Sequence, residues 1–367
     1  MLFPLGTALG LLGVLLWPAY VWGIWSAYPG PLHARIMIGG FLSCFVFGFL
    51  GTAFPRLIGA PRLKLAETVA LGGLLGASAL LNLAGYPVAG DAMFLLALLA
   101  FVGALGMRGL VRTDLPPPAF VLVAGGFACA LAGVTLRILS TLVPEAFAAW
   151  VPRFAALLLH QGYLLLPILG VGAFLLPRFF GLTTRQQFPE SLTPPPGWGR
   201  SAAFAGACGI AVIASFALEA GAWMRSAFAL RALAVVVFLA REVPMHRARV
   251  AAGALAAALR VALLAVPAGY LCMALWPARH AAFIHVVFIT GFGLLTLAVA
   301  ARVVLGHSGQ AALFDRPLKP IYAMLVLILL AMATRVSADW LPAIRLTHFA
   351  YAALAWVAGV VAVSYTH

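Results

Sequence analysis

Histidine is the residue type in this chain with the widest chemical reach, because neutral imidazole is a ready metal ligand and titrates nearest to neutral pH. The chain has eight, and their positions sort them. His33, His160, His285 and His348 each fall within about seven residues of the same end of an apolar run, roughly 10 Å of helical rise, so they can share one layer. His246, His307 and His367 belong to the opposite face, and His280 to a loop. Ionisable groups inside a membrane are costly and by default mark function. Imidazoles beside an apolar slot suit haem, which takes one or two of them; copper also accepts imidazole with methionine or thiolate. The 25 Phe and nine Trp supply such a slot. Arg35, Arg137, Arg279, Arg335 and Arg345 lie toward the same side and offer cations to haem propionates. His33 and His285 are the first choice as ligands, then His160, with His348 outside the repeat described below. Met37, four residues after His33, faces a metal or packs in the core. His160-x-x-Tyr163 and His348-x-x-Tyr351 put a phenol one turn from an imidazole, as a proton relay or as ordinary interfacial tyrosines.

The elements that must position these residues follow from composition. Apolar side chains make up 64% of 367 residues and charged ones 9%, against about 25% charged in soluble domains. The bilayer is therefore the solvent, and membrane lipid the surroundings. Twelve apolar runs bounded by Pro, Gly or charge predict helices over 5–25, 34–54, 65–85, 91–111, 118–140, 154–176, 201–219, 222–241, 250–275, 281–304, 319–338 and 345–364. The fold class is all-α integral membrane in one domain, 1–367, with a Pro-rich connection over 177–200. The net charge of +14 comes from 23 basic residues that form no dense block, so nucleic acid is disfavoured as a partner. With the N-terminus cytoplasmic, 14 basic residues (Arg56, Arg178, Arg249 and Arg302 among them) fall in inner loops and five at outer ends. That bias predicts a bacterial inner-membrane protein with both termini cytoplasmic. The first apolar stretch has no basic segment before it and reads as a retained span. Cys44, Cys129, Cys208 and Cys272 stand singly, as packing residues, with no zinc or c-type haem motif. All nine acids, Asp315 included, lie at helix ends or in loops, which weighs against a cation-coupled carrier.

The second, sixth and tenth helices share a pattern. Each has a histidine toward one end (His33, His160, His285) and an arginine and then a glycine toward the other: Arg56 and Gly59, Arg178 and Gly181, Arg302 and Gly306. The histidines are spaced by 127 and 125 residues and the arginines by 122 and 124, a period of four helices. The expected arrangement is pseudo-threefold, in units 1–117, 118–243 and 244–367. Equivalent residues of such repeats converge where function is built.

At these residues the sequence resembles the NnrS family, bacterial twelve-helix membrane proteins associated with haem, copper and the response to nitric oxide. The strongest parts are Leu32-His33-Ala34-Arg35-Ile36-Met37 with Phe54-Pro55, and His285 through Leu297-Ala298-Val299-Ala300-Ala301-Arg302 to Leu305-Gly306-His307-Ser308-Gly309. Where the family reads Trp-His-Ala-His-Glu-Met, Arg35 replaces the second histidine and Ile36 the acid. The resemblance thus implies a haem b site, with copper as a further possibility, and the departure at Arg35 suits a propionate or an anionic substrate; by its own residues, Leu305-Gly306-His307-Ser308-Gly309 reads as an inner loop that binds an anion with Arg302 or as a helix C-cap. The three-unit plan also looks like haem–copper oxidase main subunits, a fold-level analogy; the adjacent histidine pair of the oxidase copper site is absent. The implied function is resistance or response to nitric oxide and nitrosative stress by metal-centred binding, electron transfer or turnover, the electron donor being open. The alternative is a metal-independent transporter or channel for a small neutral or anionic solute, to which Arg260 within the ninth helix lends support. A structural assembly subunit is the third reading.

Overall fold

The computed structural model describes residues 1–186, 190–247, 253–314 and 316–364; Arg249, Asp315 and His367 of the sequence argument lie outside them. Every described element is a helix. The long ones are α1 (Leu2–Val21), α2 (Gly30–Leu57), α3 (Leu65–Leu83), α4 (Pro87–Leu110), α5 (Phe120–Leu142), α6 (Val151–Phe179), α7 (Trp198–Ala220), α8 (Met224–Glu242), α9 (Ala254–Leu275), α10 (Pro277–His307), α11 (Lys319–Trp340) and α12 (Pro342–Ser364). Their ends fall within four residues of those expected from the apolar runs.

Eleven of them are long and apolar enough to cross a bilayer. The twelfth expected span is α8, where Arg225, Arg231, Arg241 and Glu242 fall within 19 residues. The helix forms, but its composition alone does not mark it as a span. Part of that polarity is internal: Arg231 is fully buried, and it donates to Glu219 (2.8 Å), Ser215 (2.9 Å) and Gln161 (2.8 Å). The connection between α6 and α7 is not a free linker. Gln186 is buried, accepts from the Ala119 amide at 2.8 Å and donates to Glu242 at 2.8 Å.

Each helix packs against its neighbours in the chain, and α12 returns to α1, so the bundle closes on itself. Within membranes, lipid is as apolar as leucine, and close van der Waals approach through small residues drives helix association. Such residues recur at corresponding places. Gly6 and Gly10 of α1 lie against Cys44 and Phe41 of α2, Gly126 of α5 against Pro167 of α6, and Gly269 of α9 against Val287 of α10. The helices α2, α6 and α10 pack chiefly on α1, α3 and α4, on α5, α7 and α8, and on α9, α11 and α12 respectively. Space is left between the three.

These same three helices share a local irregularity that no other described helix has. Each is interrupted by π-helix: Ile36–Leu42 in α2, Leu158–Gly162 in α6 and Val286–Leu294 in α10. Their far ends also match. Gly59, Gly181 and Gly309 take left-handed φ values of 63°, 66° and 76°. The next amide donates back into the last turn each time: Ala60 to Pro55 (2.8 Å), Leu182 to Pro177 (2.9 Å) and Gln310 to Leu305 (2.9 Å). This is a glycine-terminated helix cap. The cap corrects the glycine register of α10, where Gly306 is still helical and Gly309 is the turn. Aligned on these caps, Arg302 lies one turn earlier than Arg56 and Arg178.

Candidate functional site

At the histidine end, α1, α2, α10, α11 and α12 enclose a cavity of about 470 Å³, into which α6 contributes His160. That volume lies in the ordinary range of small-molecule sites, about 300–1,000 Å³. His33, His160 and His285 all line it, each from a helix carrying a π segment. A π turn is wider than an α turn, so it re-aims the side chains on either side of it; such turns are frequent at functional sites. Among the described residues no three His, Cys, Asp or Glu side chains cluster closely enough to hold one ion between them. The rings surround a space and do not converge on a point.

Their hydrogen bonds are specific. The Nδ1 of His33 lies 2.8 Å from the Gly13 carbonyl of α1, and that of His285 lies 2.7 Å from the Ala281 carbonyl. A carbonyl oxygen only accepts, so Nδ1–H is the donor in both and the lone pair stays on Nε2. A backbone carbonyl on the far ring nitrogen is the usual way a ligating histidine is oriented. In His160 the Nε2 atom is buried with no hydrogen-bond partner. A buried polar atom left so is costly and asks for a partner.

The walls are aromatic. Trp17 packs edge-on against His33 (5.9 Å) and Phe349 (4.8 Å), and Phe41 meets Trp356 at 5.5 Å below them. The cations of the lining are Arg335 and Arg345. Arg335 stacks over Phe349 at 4.1 Å and pairs with Asp339 at 3.5 Å. Met37 is also in the lining.

Other residues singled out in the sequence lie elsewhere. Arg35 is outside this cavity: with Arg137 it grips the buried Asp91 of α4, at 3.2 and 2.5 Å, joining α2, α4 and α5. Arg302 is at the opposite end, its guanidinium 4.1 Å from the Phe179 ring and 4.0 Å from that of Phe314. His348 contacts Ser337 (3.3 Å) and does not line the cavity. Arg279 donates to the Asp339 carbonyl and stacks on Trp340 at 5.3 Å. Arg260 lies over Phe180 at 5.4 Å. The Tyr163 phenol bonds Ser43 Oγ at 3.0 Å, and Ser43 in turn donates to the Ile38 carbonyl at 2.7 Å. It thus ties α6 to the π segment of α2 and is not a relay from His160. Tyr351 is exposed. Cys44, Cys129, Cys208 and Cys272 are all free thiols.

The family model described as NnrS protein matches residues 1–367, the entire chain. The chain belongs to the NnrS family. No curated protein matches it. In this NnrS protein the π segments were not evident from the amino-acid sequence, nor was the part played by α12, whose Phe349 and Trp356 help to close the cavity. The signal available for the first was the run of small residues after each histidine: Gly39-Gly40, Gly162, and Gly291 with Gly293.

Proposed function

We propose that this NnrS protein holds a b-type haem in the histidine cavity, ligated by one or two of His33, His160 and His285, and serves in the bacterial response to nitric oxide. One observation carries the proposal. Imidazoles from three helices far apart in the chain line one aromatic-walled cavity, with the buried Nε2 of His160 lacking any partner. The fit extends to the rest of the lining. His33 and His285 keep Nε2 available because Nδ1–H is committed to a carbonyl. Arg335 and Arg345 are the cations within reach of propionates, in place of Arg35. Trp17, Phe349 and Trp356 exclude water and supply apolar surface for a macrocycle. When bound, haem supplies a redox-active iron; one protein ligand leaves a position for a diatomic molecule, while two favour electron transfer. Copper is the second metal this reading admits, with Met37 beside the imidazoles as its soft ligand.

The same reading sets the chain in the bacterial inner membrane with both termini cytoplasmic, as the distribution of basic residues favours. It takes α8 as the twelfth span and the molecule as three four-helix units. The matched π segments, the matched caps and the packing of α2, α6 and α10 on their own chain neighbours support that arrangement.

The test is the absorption spectrum of the detergent-solubilised full-length protein. A Soret band is expected in the wild type, and His33→Ala, His160→Ala and His285→Ala, taken one by one, identify the ligands by loss or shift of that band. Protein purified from haem-replete, copper-replete cells with neither metal bound contradicts the proposal. Solute flux in proteoliposomes unchanged by the three substitutions supports a metal-independent carrier instead.

A further inference from the structure

A half-open apolar groove lies between α2, α6 and α10, toward the end of these helices opposite the histidines. Phe49, Val171 and Leu295 are among its walls, and Thr296 carries the one polar side chain of the lining. Ten of the sixteen lining residues are partly exposed, so the enclosed volume sets no limit on the length of an occupant. The wall on α6 extends from Pro167 to Phe179, about 18 Å of helical rise. One leaflet of a ~30 Å hydrocarbon core is about 15 Å deep, so the groove has the length of an acyl chain.

The same three helices carry arginines just past the groove. Arg56 lies seven residues after Phe49, Arg178 seven after Val171 and Arg302 seven after Leu295. All three stretches are regular α-helix, and seven residues make about two turns. Each arginine therefore continues the face of its helix that lines the groove. Arg56 and Arg178 are exposed, and the Arg302 guanidinium lies 4.1 Å from the ring of Phe179, the last groove residue of α6.

A long apolar slot that ends in cations fits an occupant of two parts. A polar solute in the slot would lose its hydration with no group to replace it. An uncharged apolar molecule would gain nothing from the arginines. A guanidinium fork matches phosphate bidentately, and basic pockets between transmembrane helices at the cytoplasmic side take anionic head groups. We propose that the groove and its arginines bind one anionic phospholipid of the leaflet at that end, which is cytoplasmic in the orientation proposed above. One acyl chain lies between α2, α6 and α10, and the phosphate sits at Arg56 and Arg178 with Arg302 at the edge of the groove. The site does not depend on what the histidines hold.

Native mass spectrometry of the full-length protein tests it, with phosphatidylglycerol and phosphatidylcholine of identical acyl chains added in turn. The first lipid retained by the wild type is expected to favour phosphatidylglycerol roughly tenfold or more. The double variant Arg56→Gln, Arg178→Gln is expected to lose that preference. The pair Arg62→Gln, Arg200→Gln removes the same charge from exposed positions off the groove helices and is expected to keep it. Val171→Trp and Ala300→Phe fill the groove, and either one that keeps its melting temperature is expected to lose the first adduct of both lipids. Inorganic phosphate at millimolar concentration is expected not to displace the lipid. The idea fails if the wild type does not discriminate between head groups, if Arg56→Gln, Arg178→Gln keeps the preference, if a folded filled variant keeps the adduct, or if inorganic phosphate displaces it. The preference found in protein that carries no haem would leave this inference standing while the reading of the histidine cavity fell.

Discussion

The committed Nδ1 atoms of His33 and His285 set what those side chains can do, since a ring that donates to a carbonyl presents its other nitrogen as a base. His33 is held from another helix, by Gly13 of α1, whereas His285 is held by its own, through Ala281. Residue-scale predictions follow from backbone geometry as well. Gly59 is left-handed (φ 63°), and a Cβ there would lie 1.9 Å from Thr113 Oγ1. Gly59→Ala is expected to cost about 2 kcal/mol or more, from left-handed strain plus the clash, read as a lower unfolding midpoint. Ala222 takes φ 68° without being glycine, so Ala222→Gly is expected to stabilise by about 1 kcal/mol in the same measurement. At this scale the sequence was informative about residue types and weak about partners. The histidines stood out because imidazole is rare in apolar runs. Arg35 also stood out as a cation, but its partner Asp91 is 56 positions away, and nothing local in the chain announces that pairing.

Helices were legible to within a turn because twelve apolar runs end in Pro, Gly or charge. The π segments were not legible. One extra residue per turn inside a continuous apolar run changes no hydropathy pattern, and only the glycines after each histidine hinted at it. Their function in this account is angular: each residue turns an α-helix by about 100°, so an inserted residue re-aims a histidine relative to the rest of its helix. Deleting Gly40 is therefore expected to restore α-helix in α2 and turn His33 away from the cavity. The check is loss of the haem band with helical circular dichroism unchanged; an unaltered spectrum would contradict a positioning role. Arg231 acts on the π segment of α6, because its bond to Gln161 holds the residue beside His160. Arg231→Met strips Glu219 of its most buried partner and is expected to destabilise by roughly 3–5 kcal/mol, as breaking a buried ion pair does. Arg153 remains beside Glu219 at 3.2 Å and places the effect toward the lower figure.

For the whole molecule, closure of α12 onto α1 is what carries Phe349 and Trp356 of the last helix to a cavity begun by Trp17 of the first. The four-helix period was visible in spaced histidines, arginines and glycines. Aligning the caps shows that Arg302 is one turn out of register with Arg56 and Arg178, so the expected arginine spacing is inexact at that residue. A twelfth span is expected at α8, whose four charged residues set its composition apart from the eleven other long helices. Cysteine-accessibility labelling at His246, in the connection after α8, checks it: reaction from the same side as Arg62 and Thr113 is expected if α8 crosses, and from the opposite side if it does not.

The central claim is that three distant imidazoles gather to hold a metal cofactor. Haem and metal content of the purified full-length protein, beside the variant with His33, His160 and His285 all replaced by alanine, tests it most directly. Haem is expected in the wild type and is expected to be lost in a triple variant that still folds. Equal haem in both proteins, or none in either, would contradict it.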